Sequence, residues 1–332
     1  MSESANTPLI EVEDLGVTLN TSRGAAQAVR KVSFSLKRGE TLGLVGESGC
    51  GKSVTALALM GLLADSAVVS GSVRLDGGEL VGLRDTDYGK LRGNRISMIF
   101  QEPMTSLNPI HTIGRQVAEP LRRHKGLSAA QARKEAVFLL DRVGLPAAAK
   151  RVDAYPHQFS GGQRQRVTIA MALACQPDVL IADEPTTALD VTIQRQILDL
   201  IADLVAERGM AMILISHDLG VIAENVQKML VMYGGTVIES GPTADVFARM
   251  GHPYTQGLFR ARPRLGAKKG TRLQTIAGTV PELADLPAGC AFADRCAIVE
   301  SRCRAALPAA VEVRAGHQVR CLRTDVSMAE CA

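Results

Sequence analysis

The sequence predicts an α/β protein built around a mostly parallel, wound β-sheet, and three observations carry that reading. The apolar strand TLGLV runs straight into a glycine-rich loop and then an apolar helix. From Pro177 onward apolar strands alternate with helical stretches, the pattern of a parallel sheet with crossover helices. Five of the seven cysteines fall in the last 43 residues, which sets a small C-terminal module apart from the sheet.

Size and composition bound the function. A chain of 332 residues with 46% hydrophobic and 22% charged residues can bury a real core, and its length favours one large domain plus a smaller one. Aromatic residues are 3% with no Trp, so the stacking platforms used for single-stranded nucleic acid are not expected, and no nucleic-acid partner is. The net charge is +4. Residues 251–332 hold 12 Lys/Arg against 7 Asp/Glu, net +5, which leaves −1 for residues 1–250 and places the basic excess in the tail. No apolar run approaches the ~18 residues a membrane span needs, and MSESANTPLIEVED lacks a signal-peptide pattern, so the chain is expected in the cytosol.

Along the chain, the alternating LIEVEDLGV and AVRKVSFSL read as strands before TLGLV. An apolar helix follows through Val54–Leu63, then the strand ISMIF at Ile96–Phe100, and Ser128–Val143 shows helical spacing. The parallel part comprises the strand VLIAD, a helix Val191–Arg208, the strand MAMILIS and a helix Leu219–Val226. The strands KMLVMY and GTVIES close it, joined at Gly234-Gly235, so the sheet is expected to end near Gly241. The stretch ARPRLGAKKG at 261–270 reads as a linker. The expected division is therefore residues 1–260, with a helical subdomain at about 103–170, and residues 261–332.

Gly46-Glu47-Ser48-Gly49-Cys50-Gly51-Lys52-Ser53, continued by Val54, fits G-x4-G-K-[ST]. Its glycines let successive N–H groups turn around phosphate oxygens at a helix N-terminus. Lys52 would reach the β and γ phosphates of a nucleotide, and the Ser53 hydroxyl would serve Mg²⁺, which prefers hard oxygen ligands. VLIADE delivers two carboxylates at the C-terminal end of a strand, the edge where open α/β sheets bind ligands. Asp183 is placed to organise Mg²⁺ and Glu184 to polarise an attacking water. Cys50 is either a thiol activated by a helix N-terminus or a quiet small residue.

The segment Phe159-Ser160-Gly161-Gly162-Gln163-Arg164-Gln165-Arg166 resembles the signature sequence of ATP-binding cassette ATPases. The resemblance implies that ATP is sandwiched between two chains, with Ser160, Gly161, Gly162 and Gln163 presented to the partner's γ-phosphate. It also implies a glutamine loop at Gln101, which serves Mg²⁺ and the attacking water, a D-loop at Ala188-Leu189-Asp190, and a switch histidine at His217. The fold it implies is a phosphate-loop cassette: a wound sheet with an N-terminal antiparallel subdomain and a helical subdomain. The aromatic residue that usually stacks on adenine is missing, and Leu19 stands at the equivalent position.

FQEPMTSLNPIHTIGRQVAEPL, GHPYTQGLFRARPRL, IAGTVPEL and GCAFADRC are similar to the oligopeptide and dipeptide importer ATPases over nearly the whole chain. That likeness implies an ATPase energising import of di- or oligopeptides, with nickel, glutathione or another small solute as the alternative and a soluble non-transport ATPase as a remote one. Implied partners are a second, related ATPase, two membrane permeases and, through them, an extracytoplasmic solute-binding protein. The implied location is peripheral, on the cytoplasmic face of the inner membrane. Met104, Leu107 and Ile110 would form a socket for the permease, or would simply pack in the helical subdomain. Importers of this group carry a similar cysteine motif that can hold a [4Fe–4S] cluster, which implies Cys290, Cys296, Cys303 and Cys321 as ligands. Their x5, x6 and x17 spacing lacks the C-x2-4-C that opens many zinc sites, and spacing alone leaves iron–sulfur and zinc both open. Arg295, Arg302, Arg304 and Arg320 adjoin them and would favour an anionic cluster. His317 and Cys331 are spare candidates, expected at the surface.

Overall fold

Five short, mainly apolar runs become strands buried along nearly their whole length, as strands covered on both faces must be. A computed structural model describes residues 7–102, 106–187, 189–261 and 275–329. Its strands in chain order are β1 Ile10–Thr21, β2 Gly24–Leu36, β3 Thr41–Val45, β4 Val68–Leu75, β5 Gly78–Glu79 and β6 Ile96–Ile99. After the helical middle come β7 Val179–Asp183, β8 Ala211–Ser216, β9 Lys228–Tyr233, β10 Thr236–Pro242, β11 Val311–Arg314 and β12 His317–Val319. The described residues form two compact units.

One unit holds Ser35–Glu40 and Arg74–Leu214 together with the N-terminal residues through Ile10. Here β6 and β7 run parallel, with Ile96 opposite Val179 and Ile99 opposite Ala182. Asp178, just before β7, accepts the N–H of Ala211, and its carboxylate is gripped by Arg38 and Arg95. The helices Ile113–Lys125, Ala129–Arg142 and Gly161–Leu173 pack on one another. Ser128 closes a capping box with Gln131, so the helix expected over Ser128–Val143 begins one residue later with Ser128 as its cap.

The other unit holds Glu11–Phe34, Thr41–Val73 and the chain from Ile215 onward. Strands β2, β1 and β4 lie side by side in that order. β3 runs parallel to β9, with Leu42 opposite Lys228 and Val45 opposite Val231. The β9–β10 hairpin turns through Gly234 and Gly235 at φ +53° and +76°, both left-handed, as a type I′ turn requires.

The sheet does not stop near Gly241. β12 adds antiparallel to β10, with Glu239 opposite Val319, and β11 follows β12. The segment VEVRAGHQV carries the signal, alternation broken at Gly316 with φ +73°. His317 is consequently not a surface residue but fully buried, its Nε2 2.9 Å from Oε1 of Glu239.

That contact belongs to a buried polar knot. The two Glu239 oxygens accept the N–H groups of Gly251 and His252 at 2.6 and 3.0 Å, and Nδ1 of His252 accepts the N–H of Tyr254, capping the helix Pro253–Arg260. Burial pushes His252 down from 6.5 to about 4, against the opposing pull of Glu239. The unfolded chain therefore takes up a proton that the folded chain refuses between about pH 6.5 and 4. Stability is complete above that window and falls as pH drops through it, by about 2 kcal/mol between pH 7 and 5. Denaturant titration of the wild type and of His252→Asn, which keeps a capping oxygen, should show the smaller loss in the variant. Equal losses would clear His252 as the cause.

Candidate functional site

In the unit containing β3 and β9, β3 ends at Val45 and the chain enters the 46–53 loop, followed by the helix Lys52–Leu59. Gly46 at φ +153° has Met232 O only 2.3 Å from where a Cβ would stand, and Gly51 at φ +105° has Ala28 O at 2.6 Å. Both positions exclude any side chain, so the backbone folds tightly enough to turn N–H groups inward. Lys52 is 5% exposed, and its ammonium donates to the carbonyls of Gly46 at 2.7 Å and Glu47 at 3.1 Å. Thr55 donates its hydroxyl to Gly51 O at 2.9 Å, and Gly235 N–H donates to Cys50 O at 3.1 Å, which bolts the loop to the β9–β10 turn. Ser48 and Gly49 lie at the exposed crest, while Ser53 and Val54 are half-buried in the first helical turn. This cradle suits a polyphosphate, and the Ser53 hydroxyl is the hard donor a magnesium ion takes.

Several groups around the loop escaped the sequence reading. The Tyr254 hydroxyl accepts Glu47 N–H at 2.7 Å, and Arg295 pairs with the Glu47 carboxylate at 2.7 Å. Cys50 is wholly buried with its sulfur 3.8 Å from the Lys52 nitrogen. Burial pushes its thiol up against the opposing pull of Lys52, which favours the quiet small residue over the activated thiol. His217 follows β8 directly and is exposed in this same unit.

The other unit gathers the acid end of β7. Asp183 is its last residue and is buried, and Glu184 follows at φ +45°, a left-handed geometry uncommon outside glycine. Gln101 Nε2 donates to Glu184 Oε2 at 3.1 Å, and the hydroxyl of Thr187 donates to the same oxygen at 3.0 Å. The structure thus joins two predicted residues and adds Thr187, which no spacing signal marked. Ser160 caps the helix Gly161–Leu173 and closes a capping box with Gln163. A Cβ on Gly162 would meet Ile193 at 2.8 Å, so that glycine lets the signature helix approach the helix Val191–Arg208. Asp190 caps that second helix through Ile193 N–H at 3.0 Å. Ala188 of the expected D-loop lies outside the described residues, as do Met104, Cys331 and most of the expected linker. Of the other socket candidates, Leu107 is buried and Ile110 is exposed.

Cys290, Cys296, Cys303 and Cys321 line one small cavity with Phe292, Pro308 and Leu322. Burial pushes Cys290 up to about 11 and raises Cys321 as well. The donor set is that of a four-thiolate centre, yet no group of three or more ligating side chains stands ready to hold a metal ion among the described residues. The four neighbouring arginines each have partners of their own. Arg295 engages Glu47, Arg302 engages Glu300, Arg304 engages Asp294, and Arg320 donates to Val237 O and Pro308 O.

The comparisons with known proteins agree with this anatomy. A family model described as "ABC transporter" matches residues 29–187, and one described as "Oligopeptide/dipeptide transporter, C-terminal region" matches residues 238–303. A protein named as a peptide import ATP-binding protein of Brucella abortus is 52% identical over 328 residues, covering 95% of this chain and 97% of its own. The oligopeptide transport ATP-binding protein OppD of Salmonella typhimurium is 52% identical over 300 residues, 90% and 89% of the two chains. Among solved structures, a dimeric ATP-binding cassette in a post-hydrolysis state with ADP and Pi aligns at TM-score 0.63 and 29% identity. It covers 70% of this chain and 98% of that one. A part of the transporter complex cbiONQ from Clostridium perfringens aligns at TM-score 0.61 and 30% identity, covering 73% and 91%.

The burial of Cys50, and of Cys175 whose thiol is likewise pushed up by burial, sets a chemical expectation. Iodoacetamide at neutral pH should leave both unmodified in the folded chain and label both in denaturant, as read by peptide mass spectrometry. Labelling of Cys50 under native conditions would mean that the loop opens.

Proposed function

This chain belongs to the ABC transporter family, and from that membership we propose that it is the ATP-hydrolysing subunit that energises import of di- or oligopeptides. The observation that carries the proposal is the 46–53 loop closed around a buried Lys52, in a chain that matches peptide-import ATP-binding relatives over nearly its full length. Residues 1–260 would form the nucleotide-binding part and residues 261–332 the cysteine-rich extension.

We assign the residue roles from what the family resemblance implies, together with the chemistry of each side chain. Gly46 through Val54 hold the phosphates, Lys52 supplies charge to the β and γ groups, and Ser53, Gln101 and Asp183 serve Mg²⁺. Bound Mg²⁺ would neutralise negative charge on the phosphates. Glu184 accepts a proton from the attacking water, and Gln101 and Thr187, which both donate to its Oε2, hold that carboxylate in place. His217 would stabilise the γ-phosphate as it is transferred. Ser160, Gly161, Gly162, Gln163 and Asp190 would complete the site of a second ATPase, either this chain's own copy or a related subunit. The dimeric cassette bound to ADP and Pi supports that pairing.

No helix among the described residues is long and apolar enough to cross a membrane, and the family membership assigns solute passage to separate permeases. The subunit would sit peripherally at the inner face, receiving solute indirectly from a binding protein. In the assembled importer, Glu184→Gln should retain ATP while hydrolysis slows roughly 10²-fold or more, since the base is lost and the cradle remains. Uptake of labelled peptides by a strain lacking the chain should be lost. Hydrolysis at the normal rate would refute the role of Glu184. Unchanged peptide uptake with lost nickel or glutathione uptake would move the substrate to those solutes.

The cysteine cavity extends the proposal to a [4Fe–4S] cluster on Cys290, Cys296, Cys303 and Cys321, acting as a structural staple because ATP hydrolysis needs no redox step. The convergence of all four thiols on one cavity supports it. Protein purified without oxygen should contain iron and acid-labile sulfide in a four-to-four ratio per chain, as such a cluster requires. Stoichiometric zinc without sulfide would replace the cluster with zinc, and a folded metal-free tail would remove the site.

A further inference from the structure

We infer that Arg295 is a positioning residue for the phosphate loop, so that the turn between Cys290 and Cys296 sets the affinity of the loop for nucleotide. The inference rests on the phosphate-loop reading above. Glu47, the second residue of the loop, is anchored at each of its polar points. Its carboxylate accepts from both terminal nitrogens of Arg295, at 2.7 and 3.2 Å. Its N–H donates to the Tyr254 hydroxyl at 2.7 Å, and its carbonyl accepts from Lys52 at 3.1 Å. Tyr254 and Arg295 both fall in the C-terminal region, outside the segment that matches the general transporter family.

Arg295 is itself overdetermined. Its side chain is 5% exposed and also donates to Ala277 O at 2.8 Å, Ile276 O at 3.3 Å and the Tyr233 hydroxyl at 3.2 Å. The guanidinium sits 5.8 Å from the ring centroids of Tyr233 and Phe292, and Phe292 packs edge-on against Tyr233 and Tyr254. The turn that presents it is closed by Ala293 N–H to Cys290 O at 3.0 Å and Cys296 N–H to Ala293 O at 3.3 Å, and Cys290 N–H binds Cys303 O at 2.8 Å.

Two physical effects follow. Fixing residue 47 in advance removes ordering cost from nucleotide binding. Neutralising its carboxylate removes a negative charge that would repel the phosphates at the same loop.

The test is MgATP affinity of the full chain, with melting temperature measured alongside, and KM and kcat in the assembled importer. Arg295→Gln should weaken binding roughly two- to thirty-fold, with KM for ATP rising by the same factor and kcat changing less. Glu47→Gln should weaken it less, because the anchor is lost but so is the repulsion. The double variant should resemble Glu47→Gln alone, and Arg295→Lys should fall between wild type and Arg295→Gln. Unchanged affinity in Arg295→Gln, or effects of the two single variants that add, would overturn the inference. Should Arg295→Gln fail to fold, Glu47→Gln and Arg295→Lys decide, and wild-type affinity in both overturns it. A wild-type chain that does not bind MgATP would instead overturn the phosphate-loop reading itself.

Discussion

A lysine that is 95% removed from solvent needs oxygen partners for its ammonium, and the architecture near the loop answers that demand at Lys52. The carbonyls of Gly46 and Glu47 can turn toward it only if the loop doubles back on itself, which forces positive φ at Gly46, Gly49 and Gly51. The doubled loop then needs support from behind. β3 brings it in, the β9–β10 turn holds Cys50 O through Gly235, and Ala28 O fills the space where a side chain at Gly51 would stand. A buried cation thus dictates where three neighbouring segments must run.

The acid end of β7 obeys a different constraint. Successive residues of a strand face opposite ways, so Asp183 and Glu184 could not share a target if the strand simply continued. The left-handed φ of Glu184 ends the strand at that point and leaves its carboxylate within reach of Gln101 and Thr187. Strain of this kind persists only where surrounding contacts hold it, and the two donors to Oε2 are such contacts.

Much of this was legible in the sequence, for identifiable reasons. TLGLV, VLIAD and AMILIS were readable because strands buried on both faces carry no polar residue to interrupt them, and the helix after Ser128 was readable from the spacing of its apolar residues. β11 and β12 were missed because strands of four and three residues, the first largely exposed, leave only a weak alternation. The partners of the tail arginines were not legible, because adjacency in sequence does not say which group a long side chain reaches. Arg295 reaches a carboxylate 248 residues away, a pairing no local pattern encodes.

The cysteine cavity shows how the same physics limits the tail. Desolvation raises the Cys290 and Cys321 thiols, so an empty cavity keeps them protonated and neutral at physiological pH. Only a bound cation or cationic cluster would repay the burial of several thiolates together, and loading it must release protons. Three of the arginines beside these cysteines pair with carboxylates, so most of that compensation would come from the metal itself. Any metal loading here would therefore be coupled to pH, and the Cys290–Cys296 turn that carries Arg295 links this cavity to the phosphate loop through Glu47.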